Sequence, residues 1–239
     1  MKFKPTFFIL ILLIFFSLTS CRQTQVFIPK EFVETVIPKV GSSEWYPLNH
    51  SRNEFAVKII DGKLEIKKVD EVNKCELNLS NGKLVGINRD EWGGTLTFVP
   101  TDTTKSKVEI KRGNIKFIFS FKDKTYFIEG LAHLSMSSGA LYELDNTNDR
   151  FNYKKLIDFD DAPEAFTIHQ NKFLIATHQR FYIVKNFKKE LIFEDIFWSS
   201  LYPNSIAVLD DKNVFIGMRS GIVKLDLTAK TLKFYKNDK

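Results

Sequence analysis

A short apolar strand type keeps returning along this chain. It starts at Glu54, Gly94, Gly139, Arg180 and Gly221, at spacings of 40, 45, 41 and 41 residues. Two of its copies, SGALYELD (Ser138–Asp145) and SGIVKLD (Ser220–Asp226), open on the same Ser-Gly pair. Between the copies lie other runs of four to seven residues, such as KLEIKKV, IKFIFSF, FLIAT and ELIFED. Turn pairs such as Asp61-Gly62 and Asn81-Gly82 separate them. Helical periodicity is nearly absent beyond the N-terminal segment. Short apolar runs bounded by turn residues describe an all-β chain of antiparallel strands. The 23 Phe residues supply the large side chains that suit sheets packed face to face.

A period of about 40–45 residues with four strands per unit is the period of a propeller blade. The expected architecture is therefore a five-bladed β-propeller over residues 33–239. The last unit comprises Ser205–Asp210, Val214–Met218, Gly221–Leu227 and Leu232–Lys236. The first unit is the weakest, with Val33–Lys39, Glu44–Leu48, Glu54–Ile60 and Leu64–Val69. Pro38 and Pro47 fall inside its strands, where proline is tolerated only at edges, starts or bulges. A β-sandwich or barrel with fewer true repeats is one alternative. A four-bladed propeller with an irregular N-terminal segment is another.

The last unit resembles the repeat of bacterial two-component sensor propellers. Phe215-Ile216-Gly217-Met218 stands where that repeat has aromatic-Ile-Gly-Thr, and Gly221-Ile222 and Leu225-Asp226 complete the pattern. Phe replaces the usual Trp and Met replaces Thr. The resemblance covers one unit well and two others loosely. It implies the architecture and not the sensor's signalling output.

The first residues have a different logic. Lys2 and Lys4 precede an apolar run of ten residues, Phe7 to Phe16. Ten residues are too few to span a hydrocarbon core of about 30 Å, and they fit the h-region of a secretory signal. Leu18-Thr19-Ser20-Cys21 then resembles the lipobox of bacterial lipoproteins. That resemblance implies a signal peptide over 1–20, cleavage before Cys21 and acylation of the Cys21 thiol, because a thioether-linked glyceride requires a thiol. Several acyl chains together give stable anchoring. Residues 21–32 then form a tether. No acidic cluster follows Cys21, as one does in some surface-exported lipoproteins. The expected location is the bacterial cell membrane, lipid-anchored and facing the periplasm, with inner and outer membrane left open.

Of 35 basic residues, Lys2 and Lys4 belong to the leader, which leaves 33 against 29 acidic residues. The lysines are scattered, and no basic-aromatic cluster suggests nucleic acid as a partner. With Cys21 acylated, Cys75 has no cysteine partner and reads as a small strand residue.

In a propeller the connections alternate between two faces. Here one set is short and bland, with SNGK, FKDK, HQNK and LDDKN as examples. The other set includes NHSRN, RDEWG, GLAHLSMSS, DFDDAPE and DIFWSSLYPN. Arg52, Arg89, Trp92, His178, Trp198 and Arg219 belong to this richer set and are the candidate binding residues. An aromatic beside Arg can anchor a protein or glycan partner, and Arg can grip an anionic group in bidentate fashion. Trp198 has a second reading, packed beneath its own long loop, and Arg89 another, paired with a neighbouring acid.

Catalytic and cofactor motifs are missing: there is no GxSxG, HExxH, P-loop or GxGxxG. His169 and His178 sit on different strands of one hairpin and make a poor metal pair. The resulting expectation is a non-enzymatic binding or scaffold protein of the envelope, without a cofactor. The alternative is a carbohydrate-active hydrolase using Asp160, Asp161 and Glu164, since five-bladed propellers include glycosidases with paired carboxylates.

Overall fold

The computed structural model describes residues 26–147 and 150–238. The lipobox Cys21 and the leader lie outside the described residues. The strands form five antiparallel sheets among these residues, and the all-β reading holds.

Four sheets are four-strand meanders built from consecutive hairpins. One contains β4 (Lys74–Leu79), β5 (Gly82–Ile87), β6 (Thr95–Pro100) and β7 (Val108–Arg112). The next contains β8 (Ile115–Phe121), β9 (Lys124–His133), β10 (Met136–Thr147) and β11 (Arg150–Phe159). The third contains β12 (Pro163–His169), β13 (Lys172–Thr177), β14 (Phe181–Lys185) and β15 (Lys188–Phe193). The last contains β16 (Ser205–Asp210), β17 (Asn213–Met218), β18 (Gly221–Asp226) and β19 (Thr231–Asn237). The hairpin turns at Lys122-Asp123, Gln170-Asn171 and Asn186-Phe187 have positive φ at both residues. That geometry matches the natural twist of the flanking strands.

The N-terminal unit departs from expectation. Val33–Lys39 is not the first strand of its own unit. β1 (Phe32–Thr35) instead joins the outer edge of the last sheet, pairing with β19 from Phe32↔Asn237 to Thr35↔Phe234. Phe32 is buried there, edge-on to Phe55 at 5.1 Å. Glu44–Leu48 is not a strand either, because Trp45–Asn49 is a short helix, α1. Pro47 is tolerated in its first turn, where a backbone N–H has no intrahelical acceptor. What remains is a two-stranded sheet of β2 (Glu54–Ile60) and β3 (Lys63–Val69). Glu54 therefore opens the first strand of its sheet. Gly94, Gly139, Arg180 and Gly221 instead stand at or within the third strand of theirs.

Gly94 and Gly221 have a steric reason to be glycine. A Cβ at Gly221 would run into the Tyr235 carbonyl oxygen, and one at Gly94 into that of Ile87. The third strand thus begins pressed against a neighbouring backbone, which only glycine permits.

Successive sheets pack through separate apolar clusters. Leu84, Leu96 and Phe98 meet Phe127 and Tyr142 between the β4–β7 and β8–β11 sheets. Ile128, Leu141 and Phe159 meet Phe173 and Ile175 at the next junction. Leu174 and Phe181 meet Ile206, Ile216 and Val223, with Trp198 between them. Phe55 and Val57 meet Ala207, Phe215 and Ile222 at the junction of the last sheet with β2. Large apolar side chains fill each junction, and their burial is the main stabilising term.

Candidate functional site

A cavity of about 550 Å³ lies where the five sheets meet, and every sheet contributes residues to its wall. Because neighbouring strands are antiparallel, the connections alternate between the two ends of each sheet. Those lining the cavity all come from one end: β3–β4, β5–β6, β15–β16 and β17–β18, joined by Ala132 and His133 at the matching end of β9. The β5–β6, β15–β16 and β17–β18 connections belong to the richer loops of the sequence, and β3–β4 does not.

Two ion pairs stand on the wall. Arg219 donates from Nη2 to Glu54 Oε1 at 2.8 Å and from Nη1 to the Asn49 carbonyl at 3.0 Å. Its guanidinium lies 4.5 Å over the Tyr202 ring, a cation–π arrangement. Across the cavity, Lys116 Nζ donates to Glu164 Oε2 at 3.0 Å, with both side chains largely buried. Burial pushes the Glu164 carboxyl above its ordinary range, and the nearby Lys116 cation only partly offsets this. At the mouth, Glu91 Oε2 sits 3.3 Å from His133 Nδ1.

Two buried side-chain nitrogens on this wall, Asn204 Nδ2 and Arg219 Nε, have no acceptor. An unmet buried donor costs about 1–3 kcal/mol. The loop holding Asn204 is also strained, with positive φ at Ser200 and Tyr202. Cys75 lines the wall as well, and burial pushes its thiol up to about 11. It is therefore a weak nucleophile near neutrality.

Buried polar residues fix the mouth loops. Asn114 donates to the Asp90 carbonyl at 2.8 Å and accepts from the Arg89 N–H at 3.2 Å. Asp161 is buried and accepts from Thr177 Oγ1 and the Gln179 N–H, both at 2.6 Å, and from Ser137 Oγ. One carboxylate so ties the start of β10 to the β11–β12 and β13–β14 connections.

Of the sequence candidates, Arg219 lines the cavity. Arg52 and Arg89 are exposed on loops at the same end, outside the wall. Trp92 is 82% exposed, on a 3-10 turn spanning Asp90–Trp92. His178 is half-buried, its backbone N–H donates to the Ala162 carbonyl, and burial lowers the pKa of its ring. Trp198 is a correction. It is fully buried, with its indole N–H donating to the Thr177 carbonyl at 3.0 Å, so it packs under its own loop and offers nothing to a partner. Its neighbours Ile196 and Phe197 are also buried, and the whole apolar segment turns inward.

The three hydrolase candidates do not converge. Glu164 lines the cavity, whereas Asp160 is exposed and paired with Lys189 at 2.8 Å. Asp161 spends its oxygens on the loops. Sequence reasoning missed Glu54, Lys116, Tyr202 and Asn204. Lys116 and Glu164 did leave a signal, each the lone Lys, Arg, Asp or Glu of its strand, at the second position. Among the described residues, no group of three or more His, Cys, Asp or Glu is arranged to hold a metal ion.

No known protein family matches this chain, and no curated protein sequence matches it.

Proposed function

We propose that this chain is a lipid-anchored, non-enzymatic binding protein of the bacterial envelope, tethered through Cys21 and facing the periplasm. Its five sheets are the blades of a closed five-bladed propeller, with a two-stranded first blade, and the cavity lies on the axis. The face around the cavity mouth receives a protein or glycan partner.

The observation that carries this reading is the cavity to which all five sheets contribute. Concave sites with a few placed polar groups are where ligands bind, and this wall holds two ion pairs and two donors that lack acceptors. The order of the sheet junctions supports the ring, as does the pairing of β1 with β19, which ties the two ends of the chain into one blade. Two of the three carboxylates of the hydrolase reading, Asp160 and Asp161, are engaged away from the cavity and only Glu164 lines it, which favours binding over hydrolysis.

The test is crosslinked recovery of partners from intact membranes, for the wild type and a variant with Arg89→Ala, Trp92→Ala and Arg219→Ala. The proposal expects a stoichiometric partner whose recovery falls in the variant. Full recovery by the variant would sink it.

A further inference from the structure

Four of the five sheet junctions are sealed by apolar clusters, and the fifth is not. Where the β2–β3 sheet meets the β4–β7 sheet, no cluster of buried apolar residues forms among the described residues. Phe55 and Val57 of β2 turn away from this junction, toward the last sheet. Leu84, Leu96 and Phe98 turn away from it as well, toward the β8–β11 sheet. Side chains alternate along a strand, so the faces left over carry Lys58, Glu65 and Lys67 on one side and Glu76, Asn78 and Lys83 on the other. Burial follows the same logic. β17 is buried at all six positions, whereas β5 is fully buried only at alternate ones.

Polar ties repeat the pattern. Lys111–Glu129 at 2.5 Å, Lys116–Glu164 at 3.0 Å and Arg219–Glu54 at 2.8 Å each cross a sealed junction. At the fifth junction the ion pairs stay within one sheet, Lys67 with Glu65 at 3.2 Å and Lys83 with Glu76 at 3.1 Å. Among the described residues, no hydrogen bond or ion pair joins residues 54–69 to residues 74–112. The chain itself connects the two sheets through Asp70–Asn73, four exposed residues. The β2–β3 sheet is instead bound to the last sheet, by Arg219, by its apolar cluster and by the Val57 N–H donating to Ser205 Oγ at 2.8 Å.

We propose that the ring opens at this junction, the β2–β3 sheet moving with the last sheet on the Asp70–Asn73 hinge, and that the opening admits the partner to the cavity from the side. This rests on the binding reading above and adds the route of entry. Regions with few buried apolar contacts open at the lowest free-energy cost. Ala56 and Val69 line the cavity on one side of the junction, and Lys74 and Cys75 line it on the other. Parting these two sheets therefore widens the cavity itself.

Pulsed electron spin resonance measures the opening on the full lipidated chain in detergent, in a Cys75→Ala background. Nitroxides at Lys58→Cys and Asn78→Cys span the unsealed junction. Nitroxides at Asn78→Cys and Ser120→Cys span the sealed one beside it, and all three positions are exposed. The proposal predicts a distance distribution at least about twofold wider across the unsealed junction, the less protected of the two. Equally narrow distributions would overturn the opening and leave the binding reading standing. Equally broad ones would overturn both the opening and the ring. A short bismaleimide bridging Lys58→Cys to Asn78→Cys should abolish partner recovery from membranes, while the same bridge from Asn78→Cys to Ser120→Cys should not. Undiminished recovery with the unsealed junction bridged would overturn side entry. If the unbridged chain recovers no partner, the binding reading and the entry route fall together, and the distances still decide the opening.

Discussion

Arg219 and Glu54 lie 165 residues apart in the chain, yet their side chains meet at 2.8 Å. The contact joins the last sheet to the two-stranded sheet and forms part of the cavity wall. Backbone bonds reinforce it, with the Ser220 N–H donating to the Asn53 carbonyl at 2.8 Å. Arg219→Ala leaves a largely buried Glu54 without its cation. The expected loss is about 1–3 kcal/mol of unfolding free energy, measured by urea titration. Arg219→Ala with Glu54→Gln should cost less than the two single changes summed, because the pair acts as a unit.

Glu164 makes stability depend on pH in an unusual direction. Its folded carboxyl titrates above the ordinary 4.5, mainly because it is buried. The folded chain then holds that proton more tightly than the unfolded chain. This contribution to stability is full below the unfolded value and is lost as pH rises through the folded one. Glu164→Gln removes the titration. The stability of the wild type relative to Glu164→Gln should therefore rise as pH falls from neutral toward 4.5. A difference that falls over that interval would contradict the assignment.

Asp161 holds the start of β10 and two connections at once, and Asp161→Asn puts an N–H₂ group where donors already point. The expected cost is about 2–3 kcal/mol, the range for losing hydrogen bonds to a buried charge. Amide hydrogen exchange at Gln179, which donates to this carboxylate, should speed up beyond the global change.

The two tryptophans of the richer loops should behave oppositely. Trp198→Ala empties a fully buried site and should cost about 3–5 kcal/mol. Trp92→Ala, at an exposed loop position, should stay within about 0.5 kcal/mol of the wild type. Thermal melts of the two variants decide this.

These residues also show what could be read in advance. The β16–β19 sheet was legible to within a residue or two, because turn residues bracket each run and Gly221 marks a close backbone approach. Glu54 was misplaced by one criterion, spacing. EFAVKII alternates like any strand, and nothing local says whether it is first or third in its sheet. The pairing of β1 with β19 spans nearly the whole chain and leaves no local trace. Helix α1 is five residues long and contains Pro47, so its sequence carries no helical period. At the site, Arg219 was legible as a charge interrupting an apolar run. The Lys116–Glu164 pair was not, since each is a single charge in its own strand and only the topology brings them together.

Site-specific photo-crosslinking tests the central claim most directly. A photo-reactive side chain replaces Tyr202 at the cavity mouth in one variant and Asp123, in a hairpin turn at the other end, in a second. Both are expressed as the full lipidated chain and irradiated in intact membranes. The account predicts a discrete, stoichiometric adduct from position 202 and none from position 123. Equal capture at both positions, or capture at 123 alone, would contradict it.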